Sequence, residues 1–305
     1  WVASPQQAAV PISPPAVAVS SAVWNPAGTA LAYGGGIKPS GGLARGVLLV
    51  VDPSGREVGP SLSATNAQYL LVRWLPTGIL FWQDPYFSMS VAADGLTLYT
   101  WREGGGEAPK ALAVTLPYAS WVAPSADGTA VALVAGKGRE TWLNKSVNLC
   151  TLPDGHCQRL GPSSNAAVAL DPAVGPEGAL WVEANRRSGG GWSSCSTPAS
   201  CQNQGAQEAQ AALQLQRWLQ SRVLWWKPPG QVAREVAAAG SGIYDPEWAK
   251  GKPETILVKD GSLWLIDLSQ GKLERLTGPL GGSGSPPAYG YYGHVGWDKL
   301  WAWYR

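Results

Sequence analysis

An all-β chain assembled from repeated small sheets is the fold class this sequence predicts, and three observations predict it. A turn phrase recurs between hydrophobic runs: Trp24-Asn25-Pro26-Ala27-Gly28, Trp74-Leu75-Pro76-Thr77-Gly78, Trp121-Val122-Ala123-Pro124 with Asp127-Gly128, Leu170-Asp171-Pro172, and Tyr244-Asp245-Pro246. Its prolines, at 26, 76, 124, 172 and 246, step by 50, 48, 48 and 74 residues. A strand-turn-strand segment follows each phrase in four of five cases: Val47 to Val58, Val147 to Leu160, Leu224 to Val236, and Leu263 to Leu276. Composition agrees: 38 Gly and 25 Pro among 305 residues, with only 14% charged, suit many strands joined by tight turns. A period of about 40 to 50 residues built from short strands is the mark of propeller blades.

The blades follow in order, each with strands A to D. Blade one spans 22–62, blade two 70–116, blade three 120–160, blade four 168–238 and blade five 243–277. The sixth is split. Tyr292 to Asp298 and Leu300 to Tyr304 supply strands A and B, and Trp1 to Ile12 lines up with Trp264 to Leu276 and supplies C and D. The expectation is a single-domain six-bladed β-propeller over 1–305, closed by N-terminal strands pairing with the C-terminal ones, which removes open sheet edges. Seven blades is the alternative, if 187–222 hides another. That stretch reads instead as an insertion in blade four, since it lengthens the usual step and carries no turn phrase. Its segment from Gln204 to Gln220 is rich in helix-forming Ala, Gln, Leu and Arg, with Ala209, Ala212, Leu213 and Leu219 near one face.

The four cysteines form two local pairs. Cys150 and Cys157 flank the turn Pro153-Asp154-Gly155, and Cys195 and Cys201 flank a Ser/Thr/Pro loop. The first pair would face across a hairpin at bridgeable distance. Two disulfides predict an oxidising, extracytoplasmic compartment: periplasm, cell surface or exterior. Four free thiols is the alternative; the spacings do not suit zinc. The chain opens on Trp1, not Met, which predicts a processed or trimmed product. No run of 18 apolar residues occurs, so no transmembrane segment is expected, and a net charge of +2 gives no reason to expect nucleic acid.

Strand, Pro-x-Gly or Asp-Gly turn, strand, as in Ala123-Pro124-Ser125-Ala126-Asp127-Gly128-Thr129-Ala130-Val131-Ala132-Leu133, resembles the repeat of six-bladed propellers of the TolB-like family. Blade one departs with Asn25-Pro26-Ala27, and blade six lacks the proline. The resemblance implies a fold whose members mostly bind proteins or peptides and share no catalytic residues; fold alone does not license function.

Chemistry is sparse. No Gly-x-Ser-x-Gly elbow, His-Glu-x-x-His helix, phosphate loop or dinucleotide fingerprint occurs. Gly281 to Ser285 reads as a linker. Of the two histidines, His156 and His294, only His294 could serve as a catalytic base, and channel lining or core packing explains it as well. Glu183, Asn185 and Asp84 end B strands, the place where a central metal would sit, while Asp171 and Asp245 are expected in A-to-B turns, capping their own backbone. The expectation is therefore no catalytic residue, no metal ligands and no cofactor, with a metal-dependent hydrolase or lactonase as an alternative.

Seventeen tryptophans invite a lectin reading. Trp24, Trp74, Trp121, Trp181, Trp264, Trp297 and Trp301 recur at equivalent strand positions and are expected to fill the space between blades. Trp142, Trp192 and Trp218 fall in loops or the insertion and are expected to be exposed. The B-to-C loops, 34–46, 83–95, 135–146 and 186–222, are long while the A-to-B turns are short. They hold Lys38, Arg45, Lys137, Arg139, Lys145, Arg186, Arg187, Arg217 and Arg222 against Asp84, Asp94, Glu140 and Glu208. Function concentrates on loops carried by a rigid scaffold. The expectation is a non-enzymatic module that binds a protein or an anionic surface polymer through this face, using Lys38, Arg45, Lys137, Arg139, Trp142, Arg186, Arg187, Trp192, Arg217 and Trp218, with assembly into a larger surface structure left open.

Overall fold

The computed structural model describes residues 2–4, 7–14, 17–37, 45–59, 61–85, 95–102, 106–187, 213–249 and 252–280. Among them the chain is all-β, with five four-stranded antiparallel sheets and one two-stranded hairpin. The hairpin pairs β1 (Val2–Ser4) with β2 (Gln7–Val10). The first sheet is β3 (Val17–Trp24), β4 (Leu31–Ile37), β5 (Arg45–Val51) and β6 (Leu62–Thr65); the second is β7 (Gln68–Leu75), β8 (Gly78–Asp84), β9 (Leu96–Trp101) and β10 (Lys110–Thr115). The third is β11 (Val122–Pro124), β12 (Ala130–Ala135), β13 (Ser146–Thr151) and β14 (Cys157–Gly161). The fourth is β15 (Ala167–Gly175), β16 (Gly178–Asn185), β17 (Val223–Lys227) and β18 (Arg234–Glu235), and the fifth is β19 (Ile243–Trp248), β20 (Glu254–Lys259), β21 (Ser262–Asp267) and β22 (Lys272–Pro279). Each is a meander whose strands pair in chain order. Residues 292–305, expected to complete a sixth sheet with the N-terminal hairpin, lie outside the described residues.

The turns between the first two strands of the first four sheets share a glycine at one spacing: Gly28, Gly78, Gly128 and Gly178 have φ of 69°, 146°, 72° and 109°. These are backbone conformations that glycine adopts without steric cost. Asp171-Pro172 and Asp245-Pro246 are not the turns the sequence suggested. They lie inside β15 and β19 at bulges where the register shifts between Leu170 and Ala173 and between Tyr244 and Glu247, and both aspartates have φ of 46°. A proline, which has no N–H to donate, is tolerated at a bulge, and the bulge re-aims the neighbouring side chains. The hairpin expected over Val47 to Val58 turns at Asp52–Gly55: Gly55 N donates to Asp52 O at 2.9 Å, Asp52 N to Arg56 O at 2.9 Å and Val58 N to Val50 O at 3.0 Å, with Val51 bridged to Glu57, and β6 then continues the pairing with β5.

Two compact units divide the chain. One holds Trp1–Ala119 with Ala126–Val131 and Cys150–Cys157; the other holds Ser120–Ser125, Ala132–Leu149 and Gln158–Arg305. In the first unit the core packs β3 and β4 against β7, with Ala32, Leu48, Val50, Tyr69, Leu71, Ile79 and Phe81 buried together. Phe81 is fully buried, edge-on to Tyr69 at 5.5 Å and stacked on Tyr99 at 5.6 Å. In the second unit β15 packs against β19, and Leu180, Val182, Leu224, Ile243, Trp248, Leu257 and Ile266 close a second core. Trp74, Trp121 and Trp181 are buried as expected, whereas Trp24, at a strand end, is 43% exposed.

Candidate interaction surface

Two long connections of the second unit meet. Residues 136–145 join β12 to β13, and residues 186–222 join β16 to β17. The first wraps around a buried ammonium group. Lys145 Nζ donates toward the carbonyls of Lys137, Gly138, Glu140 and Leu143 at 2.8, 3.1, 2.9 and 2.9 Å. Its side chain thus holds the loop together from inside, as a bound cation would. Burial pushes the Lys145 ammonium down to about 8, against the upward pull of Glu140. The neck of the loop requires glycine: at Gly136 φ is 138°, and a Cβ would meet Asn144 O at 2.1 Å.

The second connection returns through a helix over 213–220, α1. Its last turn is tied to the end of β16: Trp218 Nε1 donates to Asn185 O at 2.9 Å, Asn185 N donates to Ser221 Oγ at 3.1 Å, and Ser221 Oγ donates to Trp218 O at 2.7 Å. From there a column of rings and guanidinium groups runs through the unit. Arg187 lies over Trp142 at 4.9 Å, Trp142 meets Trp218 edge-on at 5.9 Å, and Arg222 is held between Trp218 at 4.9 Å and Tyr244 at 4.5 Å. Arg222 ends the column in an ion pair with Asp171 at 2.8 Å, both partners largely removed from water. Asp171 presents its carboxylate to that arginine from the left-handed backbone of its bulge. Cation–π contacts contribute about 0.5–2 kcal/mol each, more as water is excluded. Arg187 adds a bond to Gln214 at 3.0 Å, and its N–H donates to Trp142 O at 3.3 Å, joining the two connections directly. Burial lowers the Arg187 pKa.

The residues expected to bind are therefore sorted by burial. Lys137, Arg186 and Arg217 are exposed; Arg139 and Arg187 are half-buried. Trp142 and Trp218 are each 3% exposed, which corrects the expectation that they project into solvent: they form the base on which the cations stand. Lys145 and Arg222, counted with the loop cations, are 2% exposed and serve the scaffold. Arg45 belongs to the first unit, exposed on β5, and donates to Ser63 Oγ at 2.7 Å. Lys38, Trp192, Cys195 and Cys201 lie outside the described residues. Cys150 and Cys157 form a disulfide.

The carboxylates weighed for a metal have other work. Glu183 accepts from Ser163 N at 2.8 Å, Ser163 Oγ at 2.6 Å and Trp181 Nε1 at 3.0 Å, and Asp84 accepts from Gln68 Nε2 at 3.0 Å. Among the described residues no three His, Cys, Asp or Glu side chains stand together as a metal set, and no helix is long and apolar enough to cross a membrane. Sequence reasoning missed the roles of Asp171 and Tyr244. The spacing of Trp218 and Arg222, four apart across the end of α1, was a usable signal for the column.

No family model matches the sequence, and no curated protein sequence does either. Solved structures with a similar strand arrangement do exist. TolB from Acinetobacter baumannii aligns over 82% of this chain and 53% of its own, at 14% identity and a TM-score of 0.39; this chain thus spans about half of that protein. A TolB of Agrobacterium tumefaciens aligns over 86% and 81%, at 15% identity and 0.40. Dipeptidyl peptidase 4 from Porphyromonas gingivalis aligns over 84% of this chain and 36% of its own, at 8% identity and 0.49. Identities and TM-scores this low leave function to be read from the residues themselves.

Proposed function

We propose that the chain is a non-enzymatic, extracytoplasmic binding or scaffold module that engages an acidic partner, a protein or an anionic surface polymer, through the connections 136–145 and 186–222. One observation carries this reading: both connections are fastened at a common base of buried rings and cations, while Lys137, Arg186 and Arg217 stand exposed around it. A preorganised base lets a binding loop engage a partner with less loss of conformational freedom. The same reading takes the chain to be a six-bladed propeller closed between 1–12 and 292–305, supported by the five meanders and the N-terminal hairpin. The Cys150–Cys157 bridge supports an oxidising location.

The test uses heparin as an anionic polymer. The triple variant Lys137→Glu/Arg186→Glu/Arg217→Glu should elute from immobilised heparin at clearly lower salt than wild type. Its stability should change by no more than about 0.5 kcal/mol per site, as at ordinary surface positions. Elution at the wild-type salt concentration contradicts the proposal.

A further inference from the structure

The connection 136–145 contains neither helix nor strand, and Gly136 and Gly138, with φ of 138° and 85°, leave its path free. Among the described residues its backbone bonds to itself once, from Leu143 N to Glu140 O at 3.3 Å. A segment with so little internal bonding is expected to be adaptable. Four of its carbonyls nevertheless converge on one point. Those of Lys137, Gly138, Glu140 and Leu143 stand between 2.8 and 3.1 Å from Lys145 Nζ. Lys145 is 2% exposed, so its ammonium has exchanged hydration for these oxygens. The backbone of the lysine is tied elsewhere: Ala169 N, in β15, donates to Lys145 O at 3.2 Å.

The cage fixes more than itself. The Lys137 carbonyl belongs to the peptide unit that follows Lys137, and the Gly138 carbonyl to the one that precedes Arg139. Holding both planes sets the directions in which these two side chains leave the loop, Lys137 exposed and Arg139 half-buried. Without the ammonium, four carbonyl oxygens would face one another around a buried space with no donor between them. A buried acceptor that loses its donor is costly, so the loop would turn these groups out to water and carry Lys137 and Arg139 with them.

We propose that Lys145 is the positioning residue of the basic surface: the loop forms a site for a primary ammonium, the chain fills it with its own, and Lys137 and Arg139 are presented for binding only while it is full. The role in binding rests on the reading of 136–145 as part of the binding face, whereas the cation site rests on the geometry alone. A primary ammonium suits the site because it brings three N–H donors and a full charge to a ring of acceptors.

Lys145→Ala removes the atoms of n-propylammonium and leaves a space of that shape, so this cation is the probe. In the full chain, amide exchange at Leu143 and Arg187, which are bonded to Glu140 O and Trp142 O, should become at least ~tenfold faster than in wild type. n-Propylammonium should restore slow exchange saturably, with Kd of about 10 mM or tighter, and wild type should not respond. Tetramethylammonium at the same ionic strength has no N–H to donate and n-propanol has no charge; neither should restore it. Lys145→Met fills the space without a charge, so it should show the fast exchange and no response to n-propylammonium, and it decides the matter should Lys145→Ala fail to fold. The Lys137→Glu/Arg186→Glu/Arg217→Glu variant keeps all four carbonyls and should exchange at Leu143 as wild type does. On heparin, both Lys145 variants should elute at lower salt than wild type although the group removed is buried. A wild type that heparin does not retain would remove the binding reading and leave the cation site to be decided by exchange. Wild-type exchange in both Lys145 variants, restoration by n-propanol or tetramethylammonium equal to that by n-propylammonium, a response of Lys145→Met, or wild-type elution of both variants would each overturn the proposal.

Discussion

The core of the first unit and the base beneath the connections of the second are both buried and aromatic, yet they are held by different forces. Around Phe81 the contacts are apolar, ring on ring and ring on aliphatic side chain. Around Trp218 they alternate ring with guanidinium, and a lysine ammonium replaces an apolar filler at the centre of the neighbouring loop. The first kind of region is stabilised by area removed from water and tolerates change in proportion to volume lost. The second depends on each charge keeping its partner, so that removing one member costs more than removing both.

That difference can be broken most forcefully at the apolar core. Phe81→Ala should cost about 3–5 kcal/mol in urea unfolding, the range for a large ring deleted from a close-packed site. A cost below about 1.5 kcal/mol, in the range of a volume-conserving swap, would mean the Phe81 site is not close-packed.

Arg222→Met should cost about 3 kcal/mol, because it leaves Asp171 poorly hydrated and without its cation. Adding Asp171→Asn, which keeps the side-chain shape and tolerates the left-handed backbone, should recover part of that loss. An additive double variant would show that the two residues do not act as a pair.

Lys145 sharpens the comparison through pH. Its folded pKa of about 8 lies below the unfolded value of 10.5. Between those values the unfolded chain binds the proton and the folded chain does not, so stability rises with pH there, and the burial penalty is fully present below about 8. Relative to Lys145→Met, which cannot titrate, the wild type should gain up to about 3 kcal/mol from pH 7 to pH 11. A flat difference would mean that the carbonyls surrounding the ammonium offset its burial. The smallest effect is at the rim: Arg187→Gln, half-buried over Trp142, should cost about 0.5–1 kcal/mol.

How much of this was legible follows the same divide. The strands and their meanders could be read because hydrophobic runs and Gly-containing turns are local signals, and Trp74, Trp121 and Trp181 were placed inside by position alone. The turn register was read on the wrong residue. Proline marks a turn in the first three sheets but a bulge at Pro172 and Pro246; the glycine at 28, 78, 128 and 178, with a positive φ in each case, marks the turn itself. The basic connections were legible as charge, but not which charges point inward. Lys145 and Arg222 look like any loop cations in sequence, and only the carbonyls that the loop itself folds around Lys145, and the ring and carboxylate that β19 and β15 bring to Arg222, reveal their burial.

The central claim is that one column fastens both connections, and Trp218 stands at its middle. Native-state hydrogen exchange on Trp218→Leu tests it directly. The account expects faster exchange at Leu143 and Arg187 as well as at Ser221, while protection around Phe81 is unchanged. Acceleration confined to 213–222, with residues 140–145 as protected as in the wild type, would contradict it.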